Sequence, residues 1–317
     1  MDLPAYDQLP EIPGTGERST WGVFGDGDEL GTVNLLTPDV VKAAAGLVQH
    51  GRTIPVSLPL NFDCGMYGEA RATYDHRVRV SRGGRDDSLD NFALQGSTQW
   101  DGLRHIRFRE HGYYGGRQDE DLEGDAIGMQ NWARHGIIGR GIMVDAVRFY
   151  EAQGKPIDPT TRVAIGGPEF EAYMKWANVE LKSGDILLLR TGWLTWLKTL
   201  PIEGRRAMRE RLHPNEGGLE MPGLNPSKET AAWLWNNRIA AIAVDNYAVE
   251  ALKVNPVDGY QHRRLIAMLG MPIGELWDLD ALADDCAADK RYEFMLVSSP
   301  LYLPSGVGSP PNAYALK

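Results

Sequence analysis

Within the stretch "QGSTQWDGLRH", Gln95 to His105, the chain gathers two carboxamides, a carboxylate and an imidazole: Gln95, Gln99, Asp101 and His105. Amide oxygens, carboxylates and imidazoles are all competent ligands for a hard or borderline divalent cation. An imidazole, which titrates near ~6.5 when unperturbed, also suits proton transfer at neutral pH. A strand places alternate residues on one face, so Gln95, Gln99 and Asp101 can look into one cavity, and a following turn can bring His105 back towards it. The same residues admit a structural reading, in which the glutamines satisfy backbone groups and His105 is an ordinary capped or core histidine.

The elements that must position this cluster follow from pattern and punctuation. The first thirty-odd residues, rich in Pro and Gly, suggest an ordered arm. "TPDVVKAAAGLVQHG" predicts a helix capped by Thr37, with Pro38 in its first turn and Gly51 at its end. "RTIPVSLPL" and "HRVRVS" alternate like strands, and "RGGRDDSLDN" suggests an exposed turn leading into the glutamine cluster. "NWARHGIIGRGIMVDAVRFY" suggests a short helix, a Gly-bracketed turn and a buried strand; "LLLRTGW" is a core strand; "NPSKETAAWLWNNRIAAIAVDN" is a capped helix running into another buried strand. "GYQHRRLIAMLGMPIGEL" sets His262 beside an apolar segment that breaks at Gly270 and Pro272. With no internal repeat or obvious linker, one α/β domain over 1–317 is expected, with an N-terminal arm to about residue 30 and a tail from about residue 300.

Composition excludes several classes of partner. At 43% hydrophobic residues, 317 residues suffice for a large core. A formal net charge of −10, without a Lys/Arg run, argues against nucleic acid or an anionic membrane surface and leaves small molecules as the expected ligands. The N-terminus lacks the basic start and apolar segment of a signal peptide, and no window approaches the roughly 20 apolar residues that span a bilayer, so a cytoplasmic location is expected. Cys64 and Cys286, the only cysteines, stand far apart and support neither a disulfide framework nor a thiolate metal cluster. "GDGDELG" has the acidic spacing of a calcium loop but lacks its terminal glutamate, and is expected to be a surface turn. "HGIIGRG" lacks the features of a phosphate cradle, and no Gly-x-Ser-x-Gly elbow is present for serine chemistry. His50, His76, His111, His135 and His213 lack comparable context and are expected to be structural or solvated.

The cluster resembles the signature of the metal-dependent hydrolase family called cyclase-like, which includes bacterial kynurenine formamidases and isatin hydrolases. Its pattern runs His-x-Gly-Thr-His-x-Asp-x-x-x-His. Thr98, Asp101 and His105 match; Gln95 and Gln99 stand where the family usually has its first two histidines, and Ser97 replaces the glycine. "HRRLIAMLGMPIGEL" is similar to the second motif, a histidine followed about a dozen residues later by a glutamate. Weaker similarity in "WGVFGDGDELGTVNLLTP", "HGIIGRGIMVD" and "GDILLLRTGW" extends the resemblance over most of the chain. The glutamine form resembles the trans-dienelactone hydrolase branch.

This resemblance implies a single domain with a mixed, partly barrel-like sheet flanked by helices, of the swivelling β/β/α type. It implies one divalent ion per chain, Zn²⁺ or Mn²⁺, on Asp101, His262 and Glu275, with Gln99 as a candidate further ligand. An amide oxygen is harder and less basic than an imidazole nitrogen, so the exchange of both histidines favours an oxygen-rich, single-ion site. Gln95 is left open between ligand, substrate contact and orienting group. His105 is placed beside the metal as proton shuttle, and Trp100, inside the signature, as a wall of the substrate pocket. The implied reaction is hydrolysis of a lactone or small amide by a homo-oligomer, dimer or tetramer, whose arm and tail pack on a neighbouring subunit. The rival is a catalytically silent relative that binds a metabolite or acts as a scaffold.

Overall fold

The computed structural model describes residues 2–71, 73–212, 218–254 and 259–317. In chain order its strands are β1 (Thr53–Pro55), β2 (Asp75–Val80), β3 (Arg85–Asp90), β4 (Gln99–Asp101), β5 (Ile137–Asp145), β6 (Ala164–Ile165), β7 (Ile186–Arg190), β8 (Gly223–Leu224), β9 (Ala241–Val244), β10 (Ile273–Glu275), β11 (Glu293–Ser298), β12 (Gly308–Ser309) and β13 (Tyr314–Leu316). β5, β7, β9 and β10 are buried almost throughout, as suits strands covered on both faces, and they pair in parallel. Antiparallel strands extend this centre on both sides, giving a curled nine-stranded half-barrel in the order β1-β13-β11-β5-β7-β9-β10-β4-β12. Helices Pro38–Ala45 and Asp280–Asp289 pack on β5, and Gly167–Ala177 packs on Lys228–Asn236, so the expected single α/β domain with a mixed, partly barrel-like sheet is what forms.

Several local expectations need correction. The helix at Pro38 has the expected Thr37 cap but ends at Ala45, where i→i+3 bonds from Gly46, Leu47 and Val48 tighten its last turn well before Gly51. Residues 85–90 form β3, which pairs with β2 in an exposed ribbon. Gly139 and Gly141 lie inside β5 and do not bracket a turn; a Cβ on Gly141 would sit 2.2 Å from the Phe294 ring on β11, so the glycine permits close strand packing. "DAVRFY" starts the helix Ala146–Ala152, with Asp145 accepting from the Arg148 N–H as its cap. The calcium-like loop is a structural turn: Asp28 accepts from the Gly31 N–H, Asn34 Nδ2 and the Tyr114 hydroxyl.

The arm and tail bury apolar side chains within their own chain. Leu3, Tyr6 and Leu9 are part of the main core, and the tail supplies β12 and β13. One tail strand pairs with β4 and the other joins β1 to β11, so the tail contributes to both ends of the sheet. No described helix is long and apolar enough to cross a membrane.

Candidate functional site

The site is assembled where β4 meets β10. Their antiparallel register sets Gln99 opposite Glu275 and Asp101 opposite Ile273, which puts the two polar side chains of β4 beside the end of β10. Gln99 Nε2 donates to Glu275 Oε2 at 2.9 Å and to Asp101 Oδ1 at 3.3 Å. Trp100, between them, points to the opposite face by strand alternation. There it is fully buried, donates from Nε1 to Ser298 Oγ and meets Trp277 edge-on, so it supports the sheet and does not line the cavity as the sequence suggested. Close approach is enforced by two glycines: a Cβ on Gly274 would lie 2.4 Å from Trp277 Nε1, and one on Gly308 would fall 2.5 Å from the Gln95 side chain.

His105 is returned to the cluster by the turn after β4, in which its N–H bonds to the Gly102 carbonyl. His262 immediately precedes the π-helical segment Arg263–Met268, a wide turn often associated with functional positions. His105 Nε2 and His262 Nε2 lie 3.8 and 3.9 Å from Asp101 Oδ2, and His262 Nε2 is 3.1 Å from Glu275 Oε1. The structure therefore brings Gln95, Gln99, Asp101, His105, His262 and Glu275 together.

The inner ring nitrogens have different partners. Gln95 Nε2 donates to Asp101 Oδ1 and also meets His105 Nδ1 at 3.2 Å. A carboxylate on one side requires the amide nitrogen there, so Nδ1 of His105 is the acceptor and its proton sits on Nε2. His262 does the reverse: its Nδ1 donates to both oxygens of Glu250, 2.8 Å away. Glu250 was not singled out by the sequence. It belongs to a connecting segment held against β8 by bonds from Leu224 N to Val249 O and from Ala251 N to Leu224 O, and no motif spacing links it to His262.

Electrostatics follow from this crowding. Burial, then the neighbouring Asp101 carboxylate, pushes Glu275 up to about 7. Burial disfavours the charged form of His262, but the charge and hydrogen bond of Glu250 overcome it and raise the imidazole well above its usual range. Burial lowers His105, partly opposed by Asp101 and reinforced by the positive charges of His262 and Arg71.

A divalent ion fits these residues. Asp101, His105 and His262 each offer a ligand atom within 4.8 Å of the others'. Two buried acceptors of the cluster, Asp101 Oδ2 and Gln99 Oε1, have no hydrogen-bond partner. Unpaired buried acceptors are costly, and a cation, or a water held among them, would satisfy them without protonating the carboxylate. This grouping puts His105 nearer the prospective ion than the sequence reading implied, while Glu275 sits against His262. A cavity of about 630 Å³ opens over the group, bordered by Tyr67, Tyr247 and Tyr260. The remaining histidines lie outside this group: His76 bonds to Asp87 on the exposed ribbon, His111 stacks on Phe108 and His135 contacts the Gly136 carbonyl. His213 lies outside the described residues.

Comparison with known proteins agrees with this geometry. Residues 50–251, well over half of the chain, match the family model Cyclase, described as "Putative cyclase". A crystal structure described as a novel cyclase is 31% identical over the whole of both chains, with a TM-score of 0.82. The chain belongs to the cyclase family. An isatin hydrolase bound to the product analogue thioisatinate shares the fold at 16% identity and a TM-score of 0.59, covering 89% of this chain and 99% of that one. So does a predicted metal-dependent hydrolase from Bacillus stearothermophilus, at 12% identity and a TM-score of 0.50, over 84% and 98% of the two chains. No curated protein is similar enough to match the chain.

Proposed function

We propose that the protein is a metal-dependent hydrolase of a small carbonyl substrate, a lactone or ester or an amide, acting in the cytoplasm as a dimer or tetramer. The observation that carries this reading is the buried Asp101 carboxylate, one oxygen bonded by two glutamine amides and the other left open towards two imidazoles. The names of two structural neighbours, an isatin hydrolase and a predicted metal-dependent hydrolase, favour the same reaction class.

Asp101, His262 and Glu275 would hold one Zn²⁺ or Mn²⁺, with Gln99 Oε1 as the further donor. When bound, such an ion supplies Lewis-acid polarisation of a carbonyl and activates water near neutral pH. Glu250 orients His262 and keeps its Nδ1 protonated, so that Nε2 is the nitrogen offered to the site. The same logic separates His105, whose Nδ1 is bonded by Gln95 and whose Nε2 carries a proton into the cavity. In this tautomer Nε2–H can donate a hydrogen bond to the oxygen of the attacked carbonyl, and the role of proton shuttle, taking the proton of the attacking water and passing it to the leaving atom, would need the tautomer with the proton on Nδ1 and the Gln95 amide turned to accept it. Gln95 is thereby a positioning residue, setting Asp101 and the tautomer of His105.

The test combines metal analysis with a hydrolysis screen of lactones, N-formyl anilines and cyclic imides, with and without Zn²⁺ and Mn²⁺. The expected result is about one ion per chain, a melting temperature that rises with metal, and turnover that chelation abolishes. A protein that takes up no ion would support the silent relative instead.

A further inference from the structure

The parallel strands β7 and β9 end side by side, and just past their ends three polar side chains, Thr191, Asp245 and Asn246, are buried together. Their hydrogens can be counted. Asp245 Oδ1 accepts from the Thr191 N–H at 2.8 Å and lies 2.7 Å from Thr191 Oγ1, while Oδ2 accepts from the Gly192 N–H at 2.8 Å. Thr191 Oγ1 also lies 2.5 Å from Asn246 Oδ1. The amide of Asn246 cannot be turned the other way, because its Nδ2 donates to the Pro222 carbonyl.

Thr191 Oγ1 thus faces two oxygens at hydrogen-bond distance and has a single hydrogen to give. An ionised carboxylate and an amide oxygen have none. The Trp193 N–H, 3.3 Å from Thr191 Oγ1, takes up one of its lone pairs and supplies nothing to either oxygen contact. The missing hydrogen has to come from the carboxyl of Asp245, which then donates to Thr191, which donates to Asn246. Burial favours this neutral form and pushes Asp245 up to about 6, against the bonds from Thr191 and Gly192 and the charge of Arg190, the charged side chain that faces it from β7. Arg190 is already shared between Asp145 and Asp280.

Asn246 opens the segment that frames the catalytic cluster. Its carbonyl accepts from the N–H of Leu276, next to Glu275; Val249 N donates to Glu275 Oε1 at 2.9 Å, and Glu250 holds His262. We infer that Asp245 is a positioning residue that carries a proton, completing a relay through Thr191 to Asn246 that fixes the Asn246–Glu250 segment and loosens it when the proton leaves. That this segment frames a metal site rests on the hydrolase reading; the protonated relay does not. On ionisation Asp245 takes the hydrogen of Thr191, and Thr191 Oγ1 and Asn246 Oδ1 are left facing each other with lone pairs only. A carboxyl raised on folding favours the folded state fully below its unfolded value near ~3.9, and that contribution is lost as pH rises through the folded value.

Two measurements test this separately. The first uses infrared spectra of the metal-free protein. Wild type at about pH 5 should show a neutral-carboxyl C=O band that fades by about pH 8 and that Asp245→Asn lacks. Thr191→Val, which keeps the carboxyl and removes its acceptor, should move the band to higher frequency. The second is Zn²⁺ affinity by chelator competition, taken as the ratio of wild type to Thr191→Val so that protonation of the ligands cancels. The variant should bind about 10-fold more weakly at about pH 5.5 and equally at about pH 8, where wild type has itself lost the relay. A merely structural role for Thr191 would give one ratio at both pH values and would overturn the positioning role. Absence of the band from wild type, its persistence in Asp245→Asn, or an unshifted band in Thr191→Val would overturn the relay. The expected infrared result with no uptake of Zn²⁺ by wild type would sink the hydrolase reading and leave the protonated relay standing.

Discussion

At the scale of residues, His105 and His262 approach the same carboxylate oxygen but are held by opposite partners, an amide donor and a carboxylate acceptor. A histidine whose Nδ1–H is held by a carboxylate is poised to ligate through Nε2, whereas one whose Nδ1 accepts keeps its proton facing the cavity. His105→Ala should therefore retain most of the metal while turnover falls by roughly 10²–10⁴-fold. Elemental analysis showing loss of the ion in this variant would place His105 among the ligands, as the compactness of the Asp101, His105, His262 group allows. Glu250→Ala should act in the opposite sense, weakening metal affinity about 10–100-fold by releasing His262. Asp101→Ala should abolish metal binding and activity together, while Gln99→Ala should lower affinity without removing it. Equal affinity in wild type and Gln99→Ala would limit that amide to bridging Asp101 and Glu275.

At the scale of elements, the site depends on the register of two three-residue strands. The pairing of β4 with β10 aligns Gln99 with Glu275, and it is locked by Trp277, whose Nε1 donates to the Gln99 carbonyl after passing over Gly274. A one-residue slip would turn Gln99 and Asp101 away and bring Trp100 into the cavity. Gly274→Ala would push a methyl group into Trp277 and, at 2.6 Å, into Ala243 Cβ. Overpacking of this kind costs about 1–3 kcal/mol, so the denaturation midpoint should fall. An unchanged midpoint with normal metal affinity would mean that Trp277 moves aside freely and that the register does not depend on it.

At the scale of the whole molecule, the ends of the chain are built into the fold. Lys317, fully buried, donates to Asp289 on the last helix, and Arg52 beside β1 pairs with the same carboxylate. Burial alone would raise Asp289, but the hydrogen bonds from Lys317, the Arg291 N–H and Arg52 hold it at about 2. A carboxyl lowered on folding stabilises the protein above its unfolded value near ~3.9, and that contribution is lost as pH falls towards the folded value. Asp289→Asn should accordingly be less stable than wild type at neutral pH, with the gap closing between about pH 4 and pH 2; a gap independent of pH would assign the loss to packing. The sequence alone was enough for the α/β class, the core strand at "LLLRTGW" and the capped helix before β9, because apolar patterning and capping are local properties, and the resemblance of its motifs singled out Asp101, His105, His262 and Glu275, which the fold brings side by side. It could not place Trp100, whose direction depends on which face of β4 meets the cavity, nor find Glu250 behind His262. It also took the β3 segment for a turn and the tail for an extension, because their strands exist only through pairing with distant residues. Those features were decided by tertiary structure, for a physical reason: a hydrogen-bond partner or a charge across a cavity is fixed by where the chain returns, and no local spacing records that.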